Sequence, residues 1–176
     1  MKLRFALNIG ALALCAMSVI AKGKTTVSSK DIVDFAADTP DFSTLVTAVK
    51  AASLVDTLKG PGPFTVFAPT NDAFGKLPAG TVGNLVKPEN QDTLSKILTY
   101  HVVAGKITAK QLIGLIKKGH GKAAVKTIEG ATLSASLQRK RIILTDEKGG
   151  TATVTKADVF VKNGVIHAID TVLMPN

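Results

Sequence analysis

Apolar positions recur at helical spacing through the first part of the chain and at a spacing of two from Lys122 onward. Asp31 to Ala37 reads as a short helix with Ile32, Phe35 and Ala36 on one side, and Thr39-Pro40-Asp41 then breaks and recaps the chain. From Phe42 a helical stripe runs through Leu45, Val46, Val49, Ala52, Val55 and Leu58 and ends at Lys59-Gly60-Pro61. A split at Ser53 stays open, because Leu54 sits off the stripe. Phe64 to Ala68 alternates with apolar residues on both sides, which predicts a short buried strand ended by Pro69. Thr70, Asn71 and Asp72 are the candidate caps of a helical turn that carries Ala73, Phe74 and Leu77 inward.

Beyond that elbow, Pro78-Ala79-Gly80 turns the chain and Thr81 is expected to cap a turn holding Val82 and Leu85. Pro88 opens another helix, where its missing N–H does no harm, with Leu94, Ile97, Leu98 and His101 on the buried side. Val102-Val103 starts a strand, and Thr108 caps a helix whose Leu112, Leu115 and Ile116 are expected to face inward. Lys117-Lys118-Gly119-His120-Gly121 closes that helix with cations at its negative end and glycine beyond. In the second regime Val125 and Ile128 flank an expected bulge, while Leu133, Ala135 and Leu137 alternate with small polar residues. Ile142 to Leu144 reads as a buried run and Asp146 to Gly150 as a turn; Asn163-Gly164 is a tight hairpin signal among the closing strands. Helices first and strands last make the class α+β with a largely antiparallel sheet. No internal repeat occurs, so one domain is expected over residues 31–176.

The front of the chain is different. Met1-Lys2-Leu3-Arg4 is a basic start, Phe5 to Ile20 an apolar run, and Val19-Ile20-Ala21 a site for signal peptidase. Residues 1–21 therefore read as a signal peptide, bacterial in style, and residues 22–30 as a polar flexible leader. The apolar run is shorter than a spanning helix needs and contains Asn8 and Gly10, which argues against a retained anchor. Leu12-Ala13-Leu14-Cys15 has the outline of a lipidation site, but Leu14 stands where a small residue is wanted. Cleavage after Ala21 leaves 155 residues without cysteine, which removes thiolate metal sites, thiol catalysis and disulfides together.

The formal net charge is +9, and loss of Lys2 and Arg4 leaves +7. From Gly105 to Arg141 nine basic residues face one acid, Glu129, and this stretch supplies the whole excess. Lys117, Lys118, Lys122, Lys126, Arg139, Lys140 and Arg141 form the candidate patch for an anionic partner, set against the plainer reading of a solvated face. Nucleic acid is disfavoured, because no aromatic residues are interleaved with the cations for base stacking.

Three blocks carry a family resemblance: Thr65 to Phe74, Tyr100-His101-Val102-Val103, and Asn163 to Pro175. In order and spacing they resemble the signatures of the fasciclin (FAS1) domain family, over about Val27 to Pro175. The resemblance implies a wedge of two mainly antiparallel β-sheets with helices packed around it. It also implies adhesion or matrix interaction outside the cytoplasm, with an extracellular or cell-surface protein or an anionic polysaccharide as partner. Some relatives bind carotenoids, so a carrier of a small apolar ligand is the alternative. The closing motif here reads Ala168-Ile169-Asp170-Thr171, onto which no integrin site of the animal members carries over.

No Gly-x-Ser-x-Gly elbow and no histidine pair at metal spacing occurs, so neither catalysis, a metal nor a cofactor is expected. Thr70, Asn71, Asp72, Tyr100, His101 and His167 are read as structural motif residues. Thr70–Asp72 and His101 are expected to form one buried polar network, and Asp170 to pair with His167 or end its strand. His120, between two glycines, reads as exposed.

Overall fold

A strand buried on both faces, β1 (Phe64–Pro69), divides the molecule. The structure is a computed structural model in which residues 28–175 are described; the expected signal peptide over residues 1–21, with Cys15, and residues 22–27 of the expected leader lie outside them. Alternation sends Val66 and Ala68 of β1 to one side and Thr65 and Phe67 to the other, and all four are buried. β1 pairs antiparallel with β2 (Val102–Ala104) and parallel with β7 (Gly164–Ile169), from Phe64 opposite Gly164 to Pro69 opposite Ile169.

The remaining strands are β3 (Lys122–Lys126), β4 (Thr132–Gln138), β5 (Arg141–Thr145) and β6 (Thr151–Val161). Together the seven run in the order β2-β1-β7-β6-β5-β4-β3. The first half of β6 pairs with β5 and the second with β7, with register shifts between Val154 and Lys156 and between Lys156 and Val159. Thr127, just past β3, bridges back to Val103 in β2, and the Ile128 N–H donates to the Val102 carbonyl at 2.8 Å. The sheet is mainly antiparallel, with β1 and β7 its one parallel pair among the described strands. Two groups of strands, β2-β1-β7 and β5-β4-β3, are joined through β6 in one order that nearly closes on itself. Bulges bend β6 so that it serves both halves, which alternation along a sequence does not encode.

Helices cover one face. They are α1 (Ile32–Ala37), α2 (Ser43–Ala51), α3 (Val55–Lys59), α4 (Asn71–Gly75), α5 (Thr81–Leu85) and α6 (Gln91–Tyr100). Asp31 caps α1 by accepting from the Asp34 N–H, and the split between α2 and α3 falls at Ser53, whose φ is 57°. Ile32, Leu45, Val49 and Leu98 pack on Val66, Ala68 and Ile166. On the other face Phe67 and Ile169 meet Leu133 and Leu144 of the strands and Leu112 and Ile116 of α7 (Ala109–Lys118). A capping box of Thr108 and Gln111 starts α7.

Several local expectations need correction. Leu115 is 44% exposed, because α7 buries only the narrow stripe of Leu112 and Ile116. Ile128 and Leu137 are also exposed, and Ile143 is half-buried, since β5 turns only Ile142 and Leu144 inward. Gly80, not Thr81, holds the N-cap position of α5, at φ 84°. Ser28 and Lys30, assigned to the leader, are tied to the β6–β7 hairpin: the Ser28 N–H donates to the Phe160 carbonyl and the Lys162 N–H to that of Lys30.

The tight hairpin signalled by Asn163-Gly164 forms between β6 and β7, but its two turn residues are one position earlier. Val161 pairs with Gly164, so Lys162 and Asn163 make the connection, and neither Asn163 nor Gly164 has a positive φ. Gly164 is needed for space, since a Cβ there would run into the Phe64 carbonyl. Asn163 instead donates from Nδ2 to the Leu58 carbonyl at 2.7 Å and accepts the Ile32 N–H at Oδ1, 3.0 Å. Asn163 thus locks helices to strands from within the turn.

Candidate functional site

The polar residues of the β1–α4 elbow do three separate things. Thr70 is the N-cap of α4 by backbone alone, with no side-chain bond to the helix. Asn71 reaches across to the start of α2: its Nδ2 donates to the Pro40 carbonyl at 2.8 Å, and its Oδ1 accepts the Thr44 N–H at 3.1 Å. It thereby satisfies a helix-end donor that α2, preceded by Phe42, cannot cap for itself. Asp72 is exposed. The expected network of Thr70–Asp72 with His101 is therefore absent among the described residues.

His101 is 2% exposed and is held by main-chain groups on both sides of its ring. Nδ1 lies 2.7 Å from the Ile97 carbonyl, and Nε2 accepts the Leu173 N–H at 3.0 Å. An acceptor at Nε2 places the single proton on Nδ1, so the ring is neutral. Burial pushes its pKa down to about 4, against the smaller opposing effects of the Ile97 carbonyl and Asp146. Its neighbour Tyr100 points to the other core, where its hydroxyl accepts the Glu147 N–H at 3.3 Å; burial raises the phenol pKa.

Asp146, which the sequence presents only as a turn residue, is 8% exposed. Its Oδ1 accepts the Lys148 and Gly150 N–H groups, and its Oδ2 accepts the Met174 N–H at 3.2 Å. One side chain thus closes the β5–β6 turn and pins the C-terminal segment beside His101. An Asp at the head of an Asp-x-x-Gly-Gly turn is the signal that could have marked it.

His167 stacks on Phe67, with ring centroids 5.6 Å apart. Nδ1 accepts the Asp158 N–H at 3.2 Å, and Nε2 lies 2.9 Å from the Ile107 carbonyl, so this ring carries its proton on Nε2. Burial lowers its pKa as well. Asp158 sits in the β6 bulge at φ 57° and accepts the Ala109 N–H at 2.7 Å, holding the first turn of α7. Asp170 does not pair with His167. It accepts the Thr153 N–H at 2.8 Å and faces Lys76 at 3.5 Å. Burial pushes its pKa up, but those bonds together with Thr171 hold it below the ordinary carboxylate value.

The candidate basic patch is exposed at all seven positions, and the strand register divides it. Lys122 lies opposite Ser136, Ser136 opposite Ile143, and Gln138 opposite Arg141, so Lys122 and Arg141 share the outer face of β3–β5. Two strand spacings separate those two strands, roughly 10 Å. Arg139 and Lys140 form the turn at that same end. Lys126 is four residues along β3, roughly 13 Å from Lys122, and pairs with Thr132, whose N–H donates to Glu147. It belongs to the acidic end of the sheet. Lys117 and Lys118 approach from the end of α7, joined to Lys122 through residues 119–121.

Between the helices and β1 an apolar cavity of about 30 Å³ is lined by Val33, Val46, Val49, Val66, Leu98 and Val102 among others. Cavities of about 150 Å³ hold a benzene ring, so a lipid or carotenoid would have to force the helices apart. Among the described residues no group of three His, Cys, Asp or Glu is placed to hold a metal ion. No helix among them is long and apolar enough to cross a membrane.

A family model described as Fasciclin domain matches residues 40–175. The chain is 48% identical over 176 residues to protein sll1483 of Synechocystis sp., covering 97% of this chain and 91% of that one. It is 35% identical over 172 residues to the cell surface glycolipoprotein MPB83 of Mycobacterium bovis, covering 94% and 70% respectively. Its structure matches a FAS1 domain pair from the insect cell adhesion molecule Fasciclin I with a TM-score of 0.74 at 20% identity, over 84% of this chain and 51% of the other.

Proposed function

The chain belongs to the fasciclin-domain family, and on that premise we propose that it is a non-catalytic, exported surface-interaction domain. In this reading residues 1–21 direct export, and the folded domain contacts an anionic component of the cell surface or surrounding matrix. One observation carries it. Two of the three histidines, His101 and His167, together with Asp146 are buried and tied to backbone, whereas the surplus cations stand on an outer face. A histidine whose two ring nitrogens are both engaged by main-chain groups cannot approach a substrate without local unfolding. The cell-surface relative and the cell-adhesion structural neighbour support an external role.

The experiment is sedimentation of the purified protein with the envelope and exopolymer fraction of its own cells over a series of salt concentrations. The expected outcome is retention at low ionic strength that declines as charges are screened. No retention at low salt, or retention indifferent to salt, would count against the reading.

A further inference from the structure

We propose that the β4–β5 hairpin, Arg139-Lys140-Arg141 with the cleft beside it, is the contact site for an acidic polysaccharide. This rests on the surface-interaction reading and names its ligand class. The first observation is conformational. Gln138 pairs with Arg141, so Arg139 and Lys140 are the two central residues of the turn, at φ 48° and 67°. Two positive φ values in a two-residue hairpin define a type I′ turn, whose usual occupants are Asn-Gly, Asp-Gly or Gly-Gly. Side chains other than those of Asn and Asp are disfavoured there, long cationic ones included. Arg139 and Lys140 are the only consecutive non-glycine pair with positive φ among the described residues. Strained positions of this kind gather where a ligand is held.

The second observation is electrostatic. Among the described residues no carboxylate pairs with Arg139, Lys140 or Arg141, whereas Lys30, Lys59 and Lys76 each have an acidic partner. Three adjacent unpaired cations at the tip of the hairpin make a concentrated positive site. The guanidinium forks suit the planar carboxylates of uronic acids or the oxygens of sulfate esters.

The third observation is shape. β5 and β6 part company beyond the Ile143–Thr153 pair, because β6 bends away to join β7. A cleft of about 430 Å³ opens there, lined by Lys140 and Arg141, by Thr153 and Thr155, by Ala109 and Ile113 of α7, and by one carboxylate, Asp170, which is engaged by the Thr153 N–H and Lys76. On the far side of Arg141 a second cleft of about 450 Å³ is lined by Gln138, Arg139, Ile143 and Thr153. Cations flanked by hydroxyls and an amide, with no aromatic ring among these lining residues, suit a charged, hydroxyl-rich chain better than a nucleic acid or a membrane.

The test is calorimetric titration of the purified protein at low ionic strength with polygalacturonate and dextran sulfate, and with neutral dextran and poly-glutamate in parallel. Two variants remove the same charge: Arg139→Asn/Lys140→Gly at the tip and Lys117→Gln/Lys118→Gln at the end of α7. The tip variant installs the residues the turn prefers, so lost binding cannot be ascribed to misfolding. The expected result is binding to one or both anionic polysaccharides and not to neutral dextran, weakened about tenfold or more by the tip variant and less than about threefold by the α7 variant. The tighter of the two polymers identifies carboxylate or sulfate as the anion. Equal losses in the two variants would reduce the site to diffuse charge and overturn the assignment. Equal or tighter binding of poly-glutamate would replace the sugar with an acidic polypeptide, and equal binding of neutral dextran would remove anion recognition. If no polymer binds while the protein still sediments with its envelope fraction, this site falls and the surface-interaction reading stands; if neither occurs, both fall.

Discussion

Lowering the pH from 7 to 4 should remove a measurable part of this domain's stability through His101. Its Nε2 already accepts the Leu173 N–H, so a proton added there would set two donors against each other at a residue that is only 2% exposed. The folded state therefore holds the ring neutral down to about pH 4, while the unfolded chain takes up the proton near 6.5. With the folded pKa depressed, the contribution is intact above 6.5 and declines as pH falls, until both states are protonated below about 4. The interval corresponds to ~3 kcal/mol, a large share of a typical domain's 5–15 kcal/mol. His167, also lowered by burial, acts in the same direction and adds to the loss. Asp170, held below its ordinary value of 3.8, contributes stability that is present above that value and is lost as pH falls below it, so most of the loss above 4 belongs to the histidines. Urea unfolding at constant ionic strength, in steps between pH 7.5 and 4, reads the slope, and the His101 ring resonances read its titration. His101→Asn should lower stability at pH 7 by leaving a buried partner unpaired and should flatten the slope. A His101 ring titrating near 6.5, or a wild-type stability flat from pH 7 to 4.5, would refute the reasoning.

Three further outcomes follow from particular contacts. Gly164→Ala drives a Cβ into the Phe64 carbonyl across the parallel β1–β7 pair, and should cost ~3 kcal/mol or more, read as a lowered melting temperature or failure to fold. Asn71→Ala should cost ~1–2 kcal/mol in urea unfolding by releasing the start of α2, while Asp72→Ala stays within ~0.5 kcal/mol; the reverse ranking would restore the elbow network rejected above. Arg139→Asn/Lys140→Gly should raise the urea midpoint, by ~1 kcal/mol or more in stability, because it relieves two left-handed residues; an unchanged or lower midpoint would mean that the turn holds no strain.

Where neighbours in sequence decide a feature, the sequence was enough. The cap of α7, the burial of Phe67 and the end of β1 at Pro69 all follow from residues within a turn or two, and the break at Ser53 was among the alternatives they left open. Features decided by distant partners were illegible. The parallel pairing of β1 with β7 joins residues about a hundred positions apart, and nothing in either strand's alternation names the other. Asn71 and Asn163 looked like cap and turn residues because Asn favours both, yet each spends its amide on the backbone of another element. The burial of His101 was readable from its apolar surroundings, but its partners are the Ile97 carbonyl and the Leu173 N–H rather than the polar elbow. The charge run was equally visible in one dimension. What divided it was strand length, which carries Lys126 to the end occupied by Glu147 and leaves Arg139, Lys140 and Arg141 at the other.

The same alternation explains how a recognition surface can exist on strands that also build the core. Leu133, Ala135, Ile142 and Leu144 turn inward and are buried, so substitutions among them act on packing. Ser134, Ser136, Arg141 and Ile143 point the other way, and side chains there can change without opening a cavity. The turn between the two strands belongs to neither set. At that position foldability favours Asn-Gly and the chain carries Arg-Lys, a local conflict of the kind that natural sequences tolerate at functional sites. The interior alone gives no reason for the choice, since neither side chain reaches it. On the surface-interaction reading proposed above, an acidic partner accounts for two cations at a position where the turn itself favours Asn-Gly.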